Sequence, residues 1–508
     1  MKKLIIRFDR KVRRIVSFCI VLAIILGSVV VDKSAIATSK MQSLLYKISS
    51  DTKNANSSNE INLSSLNEYN IVAEFDDENK KLNCTQITEY TNTGSDSIDK
   101  VYFHIYPNAF SKKEFAPFEE SEMKLAYPRG FNEGYIKIEK LFVEDKEVDY
   151  KITGDKNDIL QINLQDKLKK KDSVNIKFKY IVKLPNSLGR FGYGENTVNV
   201  TNWFPIACVQ DQRGWNLKSY TEMGDPFYSE TSNFKINITV PKEYKLAYTG
   251  ILDEEKKSTE TTLYKISAKK VRDFAFVMSK KFTIATGKVK GVEIDTYNLN
   301  KNMAEKATEV SEDAISIFSD LFGKYPYKKY SVVASDFYIG GMEYPMLSMI
   351  DKSMYTESNR GLLEYVIAHE TAHQWWYSVV GNDEISEPWL DEALTEYSTL
   401  LYFEEKYGKK VADRMFEEMK EESKDYKAED IFRASTDYSN SVEYSMNVYT
   451  KGAIAIGEIR EKVGNKKFFS TLREYFEDNK YKNANAKTFV DLWEKNGVDV
   501  NKIISEIK

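Results

Sequence analysis

From residue 69 to about residue 282, apolar side chains recur at every second position. Ile71, Ala73 and Phe75 alternate with polar neighbours, and so do Val101, Phe103 and Ile105; Val174, Ile176 and Phe178; and Phe234, Ile236, Ile238 and Val240. A period of two sets the apolar side chains on one face of a strand. Short strands of this kind, parted by polar turns, predict an antiparallel β-sandwich or a similar all-β domain over residues 69–284. After about Ile284 the period lengthens to that of a helix. The pattern predicts a helix over 303–322 closed by Gly323, a strand over 330–334, and a glycine-containing strand within 337–350. A helix follows over 361–380, with mostly helical chain beyond, at 409–424, 442–463, 466–479 and 487–495. The expected fold class is α+β and multidomain, with an N-terminal antiparallel β-sandwich-like domain and a mixed α/β domain over 285–508 that ends in a short helical C-terminus.

The N-terminus stands outside this pattern. Seven basic residues, from Lys2 to Arg14, precede an apolar run from Ile15 to Val31. The run is slightly long for a signal-peptide core and slightly short for a spanning helix, and Ala35-Ile36-Ala37 fits a cleavage site. Residues 1–37 therefore read as a signal peptide or a membrane anchor; if uncleaved, residues 15–31 hold the chain in the membrane. Either outcome exports the remainder, to an extracellular or cell-surface location. Residues 38–68, rich in Ser, Asn and Lys, read as a tether with a short amphipathic piece at 41–48. Cys84 and Cys208 lie in the exported part. Export allows a disulfide between them, but the favoured reading is two buried apolar residues on strands. His104, on an alternating strand with no metal-binding partner nearby, reads as structural.

Composition narrows the function little. The 508 residues are 30% charged and 42% hydrophobic with net charge -4, ordinary for a globular protein. No basic stripe argues for a nucleic-acid partner. The run from Lys167 to Lys171 reads as a solvated turn.

Histidine changes the picture. Two of only three sit four residues apart in His369-Glu370-Thr371-Ala372-His373. On a helix that spacing places both imidazoles on one face, where they can share a metal ion, and the carboxylate between them can work on a water beside it. Gly381 is expected to end this helix. Ser386 is expected to cap the next, and Pro388 to sit in its first turn. The second helix carries Asp391, Glu392 and Glu396, each able to turn a carboxylate back toward the histidines. Two imidazoles and one carboxylate leave a fourth position for water, as in a catalytic zinc site.

Three motifs in one order carry a resemblance to a family: the histidine pair with Glu392, the segment Gly340-Gly341-Met342-Glu343-Tyr344-Pro345, and Tyr449-Thr450-Lys451-Gly452-Ala453. The chain resembles the aminopeptidase N-like zinc peptidases, which include the leukotriene hydrolases, over roughly residues 66 to 460 and most strongly after about 320. The resemblance implies a β domain followed by a thermolysin-like catalytic domain. It also implies one zinc ion held by His369, His373 and Glu392, with Glu370 as general base and then acid. Tyr449, among 33 tyrosines and with Tyr397 and Tyr444 nearby, is implied as the phenol that steadies the oxyanion. Glu343 would bind the substrate's ammonium group, and Gly340, Gly341 and Met342 the strand that holds the peptide. Tyr344 stands where the family usually has asparagine. Asn202 and Gln210 are weaker candidates for the first-residue pocket, and Asp391 for orienting a ligand.

The reading is a zinc aminopeptidase acting on peptides with a free N-terminus. The rivals are a thermolysin-like endopeptidase and a catalytically inactive surface binding protein on the same fold.

Overall fold

The computed structural model describes residues 66–506. The leader or anchor expected over 1–37, with its run at 15–31, lies outside the described residues, as does nearly all of the tether. Among the described residues no helix is long and apolar enough to cross a membrane.

The alternating segments are strands, and their apolar positions are buried. Ile71, Ala73 and Phe75 point inward from Asn67–Asp76, and Phe234, Ile236, Ile238 and Val240 from Ser232–Pro241. They belong to an eight-stranded sheet in the order Ile251–Lys257, Thr261–Val271, Ser232–Pro241, Asn67–Asp76, Lys81–Thr91, Ser173–Lys183, Tyr135–Val143, Lys146–Glu147. A smaller sheet built on Ile98–His104 and Ile159–Leu168 lies against it. There Phe103 meets Phe178 edge to face at 5.0 Å. One pairing departs from the antiparallel expectation: Asn67–Asp76 runs parallel to Ser232–Pro241. The two are about 150 residues apart in the chain, ample for the crossover that a parallel return requires.

His104 is buried and stacks on Tyr106 at 4.6 Å. Burial pushes its pKa down to about 3, so it stays neutral in the core. Cys84 and Cys208 are both buried free thiols, without a bridge.

The second half begins with Thr283–Val289, two residues before the boundary drawn from the sequence. It is the first strand of a five-stranded mixed sheet, continued by Val292–Asn298, Lys329–Ser335, Leu347–Asp351 and, at the edge, Gly341–Met342. The main helices are α1 (Ala304–Phe322), α2 (Arg360–Ala372), α3 (Trp389–Tyr407), α4 (Lys409–Glu422), α5 (Gly452–Val463), α6 (Asn465–Asn479), α7 (Ala486–Lys495) and α8 (Val500–Glu506). Helix α1 buries Val310, Ala314, Ile315 and Phe318, at helical spacing, and packs on α2. Glu364 on α2 ties three helices together. Its carboxylate receives Lys306 of α1 and Lys406 of α3, each at 2.8 Å.

Helix α2 stops at Ala372, well short of the predicted 380. Its last turn tightens, with Gln374 N–H donating to Thr371 O, and Trp375 and Trp376 are drawn into the core. Tyr377 then reverses the chain at φ 117°. Gly381 is not the helix terminus; it pairs as a short parallel strand with Lys482–Asn483. Ser386 does not cap α3 either. Its hydroxyl donates to Asp383 at 2.7 Å, and Pro388 itself occupies the N-cap of α3. Burial of Trp375 and Trp376 overrode the glycine signal, and Asp383 engaged the serine.

Arg272, on the β side, crosses to this region. Its guanidinium donates to Ser378 O at 3.2 Å, to Asn483 Oδ1 at 2.7 Å and to Lys482 O at 3.3 Å. One buried side chain thus fastens the β-sandwich to the turn after α2 and to the strand before α7.

Candidate metal centre and active site

Helix α2 supplies His369 and, at its C-cap, His373; the first turn of α3 supplies Glu392. One donor atom from each lies within 4.8 Å of the other two. Glu392 Oε2 is 3.5 Å from His369 Nε2 and 3.3 Å from His373 Nε2, and it is a buried oxygen without a hydrogen-bond partner. The outer nitrogens are fixed. His369 Nδ1 meets Glu396 Oε2 at 3.0 Å, and Tyr365 holds the other oxygen of Glu396. His373 Nδ1 lies 3.0 Å from Trp376 O and 3.1 Å from Thr395 Oγ1. With Nδ1 engaged outward, both Nε2 atoms turn toward Glu392, as ligating imidazoles do.

The electrostatics ask for a cation at this point. Burial opposes ionisation of Glu392, yet His373 and His369 hold its carboxyl down to about 2. Burial likewise works against charge on His369, but Glu392 and Glu396 lift it to about 9. Burial raises Glu343 well above the carboxylate range, and burial followed by Glu392 pushes Asp391 up to about 8. Glu384 is also buried and shifted upward, chiefly by burial and then by Asp391. A site with this surplus of buried carboxylates, two converging imidazoles and one unpartnered acidic oxygen fits a divalent metal.

Of the competing carboxylates, Glu396 lies on the Nδ1 side of His369 and orients it. That is the role the sequence reading gave to Asp391, whose carboxylate accepts instead from Asn382 at 2.9 Å.

Glu370 follows His369 on α2. Burial raises its carboxyl to about 7 against the pull of both imidazoles. A proton acceptor poised there can both take up and release a proton near neutrality. Its carboxylate presses on Gly341: a Cβ at 341 would fall inside Glu370 Oε1. Gly340 turns the chain at φ 109° to begin this approach. Gly341–Met342 is the edge strand, with its inner side paired to Met349 and Ile350. Gly341 and Glu343 line the cleft. Met342, between them, faces the other way and is buried, its Sδ accepting from Arg190 Nε at 2.9 Å. Glu343 is 4% exposed and its Oε1 has no hydrogen-bond partner.

Tyr449 arrives on a π-helical segment, Met446–Lys451. The wider turn is a common device at functional sites. Its ring stacks on His369 at 6.0 Å and its hydroxyl donates to Glu392 Oε1. Gly452 lets α5 approach α3, since a Cβ there would lie 2.5 Å from Ala393 Cβ.

The structure thus brings together His369, His373, Glu392, Glu370, Tyr449, Glu343 and Gly341. It does not bring in Asn202 or Gln210. Asn202 is buried with its Oδ1 accepting from Tyr344 at 3.1 Å, so the tyrosine in place of asparagine is held from the β side. Gln210 lines a different depression.

Three contributors escaped the sequence reading. Gln374 locks α2 to the edge-strand segment through Met346 N at 2.8 Å and Tyr344 O at 3.2 Å. Arg190 and Asp225, an ion pair on the cleft wall, come from irregular stretches of the β domain, where no periodicity marks them. Gln374 directly follows the histidine motif, and a polar residue beside two tryptophans was the available signal.

Residues 306–507 match the peptidase family M1 domain. Aminopeptidase N of Haemonchus contortus is 24% identical over 355 residues, which is 65% of this chain and 36% of that protein. Human aminopeptidase B is 27% identical over 203 residues, 37% of this chain and 31% of the other. The chain spans about a third of the length of these relatives. Among solved structures, the M1 zinc metallopeptidase from Deinococcus radiodurans matches with TM-score 0.63 at 15% identity, covering 87% of this chain and 93% of that one. The histidine pair, Glu370, Glu392, the edge strand with Glu343, and Tyr449 all fall within residues 306–507, the segment that matches the peptidase family M1 domain.

Proposed function

We propose that the protein is a zinc-dependent aminopeptidase that hydrolyses the N-terminal peptide bond of peptides. One observation carries the reading: the three-donor cluster lies in the same cleft as the buried, unpartnered carboxylate of Glu343. His369, His373 and Glu392 would hold the ion. When bound, zinc supplies Lewis acidity that brings a water's pKa toward neutrality and polarises a carbonyl. Glu370 accepts the proton of the attacking water on its carboxylate and returns it to the departing amine. The hydroxyl of Tyr449 donates to the carbonyl oxygen as negative charge gathers there. Glu343 pairs with the substrate's terminal ammonium, which limits the cut to the first residue. The outer edge of Gly341–Met342 offers backbone groups to an added peptide strand.

Export, with residues 15–31 as a cleaved leader core or a retained anchor, is part of the same proposal. It is supported by the basic segment, the apolar run and Ala35-Ile36-Ala37.

The test uses the zinc-loaded chain with matched peptides bearing a free or an acetylated N-terminus. Cleavage of the free form alone is expected, with at least a hundredfold loss in Glu343→Ala. Equal cleavage of both forms by the unaltered protein would show an endopeptidase. Glu370→Gln should keep its zinc by elemental analysis and lose turnover; a fully active variant defeats the assignment of the base.

A further inference from the structure

We infer that the cleft selects a basic first residue, arginine or lysine, and that Glu122 is the residue that reads it. This rests on the aminopeptidase reading and extends it to substrate class. The cleft that holds Gly341, Glu343 and the three-donor cluster is also lined by Tyr338 and Ile339 and by a β-domain strap, Phe118, Glu119, Glu122 and Leu125. Phe118 and Tyr338 sit ring to ring at 6.0 Å. Beside them the hydroxyl of Tyr338 donates to Glu122 Oε2 at 3.2 Å. Two rings beside a carboxylate match a long aliphatic stem with a cationic head, which gains from the ring faces as well as from the acid.

Charge compensation favours the same occupant. Glu122 is held by a neutral phenol, and Glu119 accepts a backbone N–H from Ser441 at 2.9 Å. Among the described residues neither carboxylate has an ion-pair partner. The cation on this wall, Arg190, is already matched by Asp225 and also donates to Met342 Sδ. An acidic first residue would therefore meet surplus negative charge and a guanidinium that is already engaged. Glu343, buried in the same cleft and with an oxygen that has no hydrogen-bond partner, is a second acid there. The first residue of a basic peptide carries two cations, the terminal ammonium and the side chain, and the cleft has a separate acid for each.

The experiment compares kcat/KM of the zinc-loaded full chain on aminoacyl coumarin amides of Arg, Lys, Leu, Met and Glu. Arg and Lys should exceed Leu at least tenfold. The Arg-to-Leu ratio should fall at least tenfold in Glu122→Gln. A second readout needs no turnover: calorimetric titration of zinc-loaded Glu370→Gln should show Arg-Ala-Ala binding at least tenfold tighter than Leu-Ala-Ala, with the difference gone when Glu122→Gln is added. The wild-type ranking needs no variant, and Leu, Met or Glu in the lead overturns the inference while leaving the aminopeptidase reading standing. A ratio unmoved by Glu122→Gln overturns the role of Glu122. Failure of the zinc-loaded wild type on every amide would bring down the aminopeptidase reading, and this inference with it.

Discussion

At the scale of single residues, the closest tolerance in the site is between Glu370 and the backbone of Gly341. A methyl group there must displace either the carboxylate or the edge strand. Gly341→Ala is therefore expected to lower kcat by about a hundredfold, the usual cost of misplacing a reacting group by an ångström. Its zinc content should match wild type. Normal kcat with bound metal would show that Glu370 can shift freely. The histidine motif was legible in the sequence because spacing alone sets two imidazoles on one helix face. The third donor was not, since Asp391, Glu392 and Glu396 share one helix and only family spacing favoured Glu392. What the sequence hid was which nitrogen each acid addresses. Glu392 and Glu396, one turn apart, meet opposite sides of His369.

At the scale of elements, strands announced themselves by a period of two and α1 by a period near four. The end of α2 did not, because Trp375 and Trp376 continue an apolar run that a helix would also bury. The π-helical turn at Met446–Lys451 was likewise read as plain helix, since one extra residue in a turn leaves little trace in composition. Between helices the decisive contact is Glu364. Burial opposes its ionisation, but Lys406 and Lys306 bring its carboxyl down from 4.5 to about 2. The depressed folded value means that stabilisation is full above about pH 4.5 and fades as pH falls toward 2. The shift corresponds to about 3 kcal/mol. Glu364→Gln should lower the urea midpoint clearly at pH 7, and the gap to wild type should narrow by pH 3. A gap independent of pH would mean that the carboxylate's charge is not what binds these helices.

At the scale of the whole molecule, the β-sandwich is one wall of the cleft as well as a neighbouring module. Its strap lines the same cleft as Gly341, and Arg272 anchors the sandwich to the turn after α2 and to the chain near Asn483. The two halves should therefore melt together, in one calorimetric transition. Arg272→Ala, which removes several buried hydrogen bonds, should cost about 3 kcal/mol and broaden or split that transition. An unchanged single peak would show that the halves are coupled elsewhere. The three ties of Arg272 have a further consequence. Held by those bonds, the two halves are expected to move as one body, so that the cleft keeps its width whether or not a peptide lies in it.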